Sequence, residues 1–150
     1  MLKLSRLTDY AFVVLRHLAE RPDACASARE ISEARGLPLP TVSKLLKQLA
    51  AASLVQGARG ARGGYRLART PDAITVADVI GAVDGPVALT ECASHSADCE
   101  RRHACDLRPN WLRINAAVRR VLGDISLEEM TGTIAKDRLL PPRPADTTDS

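Results

Sequence analysis

The chain is poor in aromatics: Tyr10, Phe12, Tyr65 and Trp111 are all that its 150 residues hold. Leu, Val, Ile and Ala must therefore build the core, and aromatic base-stacking on single strands is a poor fit as the main binding chemistry. No apolar run approaches the ~18 residues of a membrane span. No secretory signal is visible either, since Met1-Leu2-Lys3-Leu4-Ser5-Arg6 leads directly into an amphipathic pattern. Both absences point to the cytoplasm and away from a membrane. In that reducing compartment four cysteines serve more naturally as thiols or metal ligands than as disulfides. A Gly-rich phosphate cradle and a Ser-His-Asp set are missing, and the three histidines form no spaced pair. For an enzyme that leaves only Cys105 with His103, neighbours in a polar loop.

What is present is a strong asymmetry of charge. Residues 1–70 carry 12 Lys/Arg against 5 Asp/Glu, a net +7, while residues 71–150 carry 9 against 13, a net −4. A basic half beside an acidic half points to a localised polyanion-binding face.

Helical spacing comes first. Leu7, Ala11, Val14, Leu15 and Leu18 predict a helix over 7–21, ended by Pro22. Ser27-Ala28-Arg29-Glu30 is a capping box that opens a second helix, and Gly36 supplies the positive φ that stops it. A third begins at Leu39-Pro40 and buries Val42, Leu45, Leu46 and Leu49. Two short helices around a Gly-containing turn are the helix-turn-helix signature. Strands at 53–56 and 65–68 around a Gly-rich tip then form a hairpin, the wing. Thr75-Val76-Ala77-Asp78 caps a fourth helix ending near Gly85-Pro86. A long helix over 109–122 follows, with one apolar stripe of Trp111, Ile114, Val118, Val121 and Leu122, and Ser126 caps a last short one. The fold class is mainly α with a small β-hairpin wing.

A recognition helix reads the major groove through side chains near its N-terminus. The outward positions here are Thr41, Ser43, Lys44 and Lys47. Lys44 can donate to guanine O6 or N7, and the two hydroxyls suit bases or phosphates. In the wing, Arg59 and Arg62 stand among glycines that let the backbone approach a groove, and Arg favours narrow minor grooves. The plain alternative is a solvated basic hairpin.

Cys92, Cys99 and Cys105 are spaced C-x6-C-x5-C, within a polar stretch that also holds His95 and His103. Three thiolates so placed can converge on one metal centre. The spacing is not the paired C-x2-C of zinc ribbons, and open spacing suits a soft multi-iron site better. Redox thiols and ordinary loop cysteines are the alternatives. Cys25 stands alone between the first two helices and reads as a small semi-buried residue.

Leu7-Thr8-Asp9-Tyr10-Ala11, the segment Gly36-Leu37 to Lys44-Leu45-Leu46, Arg62-Gly63-Gly64-Tyr65 and the cysteine spacing together resemble the IscR/NsrR family. These are winged-helix transcription regulators that carry iron–sulfur clusters. The likeness spans roughly residues 1–131, and the first ten residues are most similar to regulators of the SUF iron–sulfur assembly operon. The resemblance implies a repressor acting as a homodimer on a double-stranded DNA operator, joined through the long helix. It implies DNA contacts from the helix around Thr41, Ser43 and Lys44 and from the wing near Arg59, and Tyr65 of the wing motif is counted among the DNA-binding residues. It also implies an iron–sulfur cluster, [2Fe-2S] in preference to [4Fe-4S], on Cys92, Cys99 and Cys105.

One position departs from the pattern. The cluster-assembly regulator has a ligand histidine three residues after its last cysteine, and here that place is Arg108, which cannot ligate iron. In the family's nitric-oxide sensor an aspartate early in the first helix, from the partner chain, fills the fourth position, and Asp9 stands at the matching place. An acid in a first helical turn is equally well explained by the helix dipole. The implied organisation is a winged helix-turn-helix domain over 1–85, a cysteine-containing cluster loop over 86–108, a dimerisation helix and short helix over 109–131, and a disordered tail over 132–150. A zinc or thiol–disulfide switch on the same DNA module is the second reading.

Overall fold

Ser5 begins the fold by accepting from Thr8 N at 3.2 Å through its Oγ, which caps α1 (Arg6–Ala19). The computed structural model describes residues 4–90 and 106–132. The cysteine-bearing stretch 91–105 and the tail 133–150, with the expectations placed on them, lie outside the described residues.

Helix α2 (Ala28–Arg35) has the full capping box: Ser27 N donates to Glu30 Oε2 at 2.6 Å, and Glu30 N donates to Ser27 Oγ at 3.2 Å. Gly36 ends it at φ 64°, a backbone that an L side chain resists. Pro40 lies in the first turn of α3 (Leu39–Ala51). Leu15, Leu18, Ile31, Leu45, Leu46 and Leu49 are almost fully buried where the three helices meet. Each such side chain contributes about 1.5–3 kcal/mol relative to exposure.

The hairpin sits nearer its tip than expected. Strands β1 (Val55–Ala58) and β2 (Gly64–Leu67) pair antiparallel, with Val55 opposite Leu67 and Gly57 opposite Tyr65. Ser53 and Leu54, expected in the first strand, instead close α3. Ser53 adopts φ 57°, and Leu54 N donates to Leu49 O at 2.9 Å. Beyond the hairpin, Ala26 pairs with Tyr65 through Ala26 N to Tyr65 O at 2.9 Å and Tyr65 N to Ala26 O at 2.8 Å. That bridge ties the wing to the entry of α2.

A 3₁₀ turn (Pro71–Ala73) leads into α4 (Val76–Val83), whose capping box joins Thr75 and Asp78 as expected. Helices α5 (Arg108–Gly123) and α6 (Leu127–Thr131) complete the fold. Expected to stand with the long helix, α6 also returns to the N-terminal core. Val76 N donates to Ile125 O at 2.8 Å, Leu127 N donates to Ile74 O at 2.7 Å, and the Leu127 side chain is fully buried.

The single apolar stripe expected on α5 divides in two. Val118 and Leu122 pack against the core, whereas Trp111, Ile114 and Val121 are 39%, 46% and 41% exposed. A helix lying on the edge of a domain meets it along one side only. Among these positions Asn115 is buried, and its Oδ1 accepts from Leu89 N at 3.1 Å.

Candidate nucleic-acid interface

Helix α3 turns one face inward through Val42, Leu45, Leu46 and Leu49. At ~100° per residue the opposite crest carries Lys44 and Lys47, and both are exposed. Thr41 and Ser43 differ from the expectation of four outward residues. They fall on opposite flanks of the buried stripe, about 160° apart by the same spacing, and both are half-buried. The structure therefore brings the two lysines together and separates the two hydroxyls.

The wing tip is built by glycine. Gly63 N donates to Gly60 O at 2.9 Å, and a Cβ on Gly63 would lie 2.5 Å from Ala58 O. Gly64 at φ 151° passes so close to the Ala26 backbone that a Cβ would come within 2.7 Å of it. This pair of glycines makes the tip tight and the Ala26–Tyr65 bridge possible. Arg59 and Arg62 stand exposed on the tip, whereas Tyr65 is half-buried at the base of the wing and packs against the core. Across the strands, with the Gln56 amide oxygen facing the guanidinium, Arg66 donates from Nε at 2.8 Å and from Nη2 at 3.2 Å.

The electrostatics agree with the geometry. No Asp or Glu stands between Glu33 and Asp72, a stretch that holds all of α3 and the wing. Lys44, Lys47, Arg59 and Arg62 make no ion pair among the described residues, in contrast to Arg16, Arg35 and Arg69. Arg35 lies on another side, where it pairs with Glu20 and donates from Nε to His17 Nδ1 at 3.2 Å. Burial, followed by the Arg35 charge, holds the His17 imidazole below its ordinary pKa. An acid-free surface with unpaired cations is suited to phosphate neutralisation.

The metal-ligand expectations divide. Asp9 is exposed in the first turn of α1. Cys92, Cys99 and Cys105 lie outside the described residues, as do His95 and His103. Cys25 is a half-buried free thiol, in line with its reading as a structural residue. Arg108 is half-buried at the start of α5, and its Nε has no hydrogen-bond partner among the described residues.

Three residues escaped sequence reasoning. Asn115 was legible in principle as a polar residue within an apolar pattern. Ala26 and Asp84 carry no such signal, because their roles arise from residues far along the chain. Among the described residues no helix is long and apolar enough to cross a membrane.

Residues 4–133 match the family model Rrf2, described as an iron-dependent transcriptional regulator. The HTH-type transcriptional regulator CymR of Bacillus subtilis is 31% identical over 130 residues, 86% of this chain and 89% of the relative. Its solved structure, described as the global cysteine regulator of that organism, aligns with a TM-score of 0.67 at 32% identity, covering 87% of this chain and 97% of the other. IscR of Vibrio atlanticus is 37% identical over 101 residues, 67% of this chain and 58% of the relative. The structure of T. potens IscR aligns with a TM-score of 0.63 at 29% identity, covering 86% and 85%. Fold, basic face and relatives agree: the chain belongs to the Rrf2 family of DNA-binding transcriptional regulators and is not an enzyme.

Proposed function

We propose that the chain is a repressor that binds a double-stranded operator as a homodimer and loses or gains its grip with the state of an iron–sulfur cluster. The observation that carries the DNA half is the acid-free surface of α3 and the wing, with Lys44, Lys47, Arg59 and Arg62 unpaired. Lys44 and Lys47 suit the major groove, Arg59 and Arg62 an adjacent minor groove, and Thr41 and Ser43 the flanking phosphates. Tyr65 acts by holding the wing against the core. The exposed ridge of Trp111, Ile114 and Val121 supports a two-fold interface through α5.

The donor set fits iron–sulfur chemistry. Cys92, Cys99 and Cys105 offer soft thiolates, and Asp9 offers a carboxylate that is exposed and makes no ion pair or hydrogen bond to its side chain among the described residues. When bound, the cluster supplies iron–ligand bonds that are lost when iron is lost. This chain's own part is to anchor both flanks of the cysteine segment, through Asn115 on Leu89 before it and through α5 after it. Any effect on DNA binding equals the difference in cluster affinity between the two protein states.

The likeness to CymR, described as a global cysteine regulator, supports a second reading in which the cysteines form a thiol–disulfide or zinc switch. Anaerobic purification, iron and sulfide counting, and selection of a binding site from random duplexes decide between them. Visible absorbance with stoichiometric iron and sulfide, and an affinity that changes on its removal, are expected. A colourless protein whose DNA affinity follows thiol oxidation would transfer the switch to the second reading.

A further inference from the structure

A cleft of about 300 Å³ opens where the end of α3, the base of the wing, α4 and α5 meet. Its lining combines the apolar Leu54, Ala82 and Val87 with Arg69 and Arg119. Asp78 is the only carboxylate in that lining, and it is already engaged. Its Oδ2 accepts from Thr75 N at 3.1 Å in the cap of α4 and lies 3.5 Å from Arg69 Nη2. Arg119 has no acidic partner among the described residues. Arg69 is committed as well, since its Nη1 donates to Ala73 O at 3.3 Å, so Arg119 is the uncompensated cation and leaves the cleft net positive.

Gly81 lines the same cleft from within α4. Glycine inside a helix weakens it relative to alanine. Neither a positive φ nor a close neighbour calls for one here, since a Cβ at Gly81 would meet nothing within 4 Å. Its effect is to keep the cleft open.

We propose that this cleft binds a small organic carboxylate. The carboxylate sits on the fork of Arg119, whose planar donors match its two oxygens, and the apolar part lies against Leu54, Ala82 and Val87. The volume is at the lower end of the roughly 300–1,000 Å³ range of ligand pockets, which calls for a metabolite-sized molecule. A bare inorganic oxyanion would leave the apolar wall wet, and a neutral hydrocarbon would leave Arg119 without an anion. A ligand here touches the wing base through Leu54 and Arg69 and α5 through Arg119, so it reaches both at once.

The test is a titration of the full-length chain with hexanoate, followed by the backbone amide resonances of Gly81 and Ala82, with inorganic phosphate and hexylamine as controls. Hexanoate is expected to shift these resonances saturably in the millimolar range, phosphate more weakly, and hexylamine not at all. Arg119→Ala should weaken hexanoate roughly tenfold, the scale of one lost charge-assisted pair, and Gly81→Leu should block it. Arg119 is exposed, so its variant keeps the inference testable even if Gly81→Leu does not fold. No saturable shift, phosphate binding as tightly as hexanoate, an equal response to hexylamine, or an unchanged affinity in Arg119→Ala would each overturn the assignment.

Discussion

Thr8 Oγ1 donates to Asp84 Oδ2 at 2.7 Å, joining the first turn of α1 to the end of α4 across 76 residues of sequence. Ser5 N donates to the same oxygen at 3.0 Å. The carboxylate thus reinforces the start of the helix that carries Asp9. Burial pushes the Asp84 carboxyl up, but hydrogen bonds from Ser5 and Thr8 outweigh it and hold the group below its ordinary value of 3.8. A depressed folded pKa means that its stabilisation is present above 3.8 and is lost as pH falls through the folded value. Thr8→Val should cost about 1–2 kcal/mol at neutral pH, toward the low end for a charged acceptor because Asp84 is open to solvent. In urea unfolding the gap to the parent should close in acid. A gap that does not change with pH would assign the loss to valine packing instead.

Gly64→Ala tests the docking of the wing. A Cβ there meets Ala26 backbone at 2.7 Å, and φ 151° is strained for an L side chain. Backbone strain alone is worth about 1–3 kcal/mol, and the clash adds to it. The expected result is lower stability with faster exchange of the Tyr65 and Ala26 amides. Unchanged exchange would mean that the wing is held elsewhere.

Lys44→Ala and Arg59→Ala probe the reading face. Lys44→Ala should relax preference at one base position and cost ~1–3 kcal/mol in specific affinity. Arg59→Ala should weaken binding most on A/T-rich flanks, where a narrow minor groove favours arginine. Anisotropy titrations at matched salt measure both. Parental affinity in both variants would exclude the docking model.

Ile114→Glu places a charge on the exposed apolar ridge of α5, where Ile114 is 46% open. Sedimentation should show monomers, and tight binding to a two-fold operator should vanish. A dimer that survives the change moves the interface off this ridge.

Cys92→Ala, Cys99→Ala and Cys105→Ala should each abolish the visible absorbance of the anaerobically purified protein, because two thiolates and a carboxylate hold a cluster poorly. Cys25→Ala should leave the spectrum intact. Asp9→Ala should shift it or hasten its loss. If the spectrum is unchanged and stability falls slightly, Asp9 serves the α1 dipole alone.

The helix caps were legible in the sequence because their bonds are local. Ser27 with Glu30, Thr75 with Asp78 and Ser126 with Glu129 each close within four residues, so residue types at fixed spacing reveal them. The buried face of α3 was equally clear from its 3.6-residue period, and the wing glycines from their density. Lys44, Lys47, Arg59 and Arg62 could be named as exposed cations for the same reason. That Thr41 and Ser43 flank the core rather than crest the helix follows from the same period, once the width of the buried stripe is known.

Tertiary structure decided the rest. The Thr8–Asp84 bond, the Ala26–Tyr65 bridge and the return of α6 to the core join segments far apart in sequence, and such pairings leave no periodic trace. The division of the α5 stripe had to wait for the structure too. Periodicity reports that a face is apolar, but only the position of the domain beside it determines that Val118 and Leu122 are covered while Trp111, Ile114 and Val121 remain exposed.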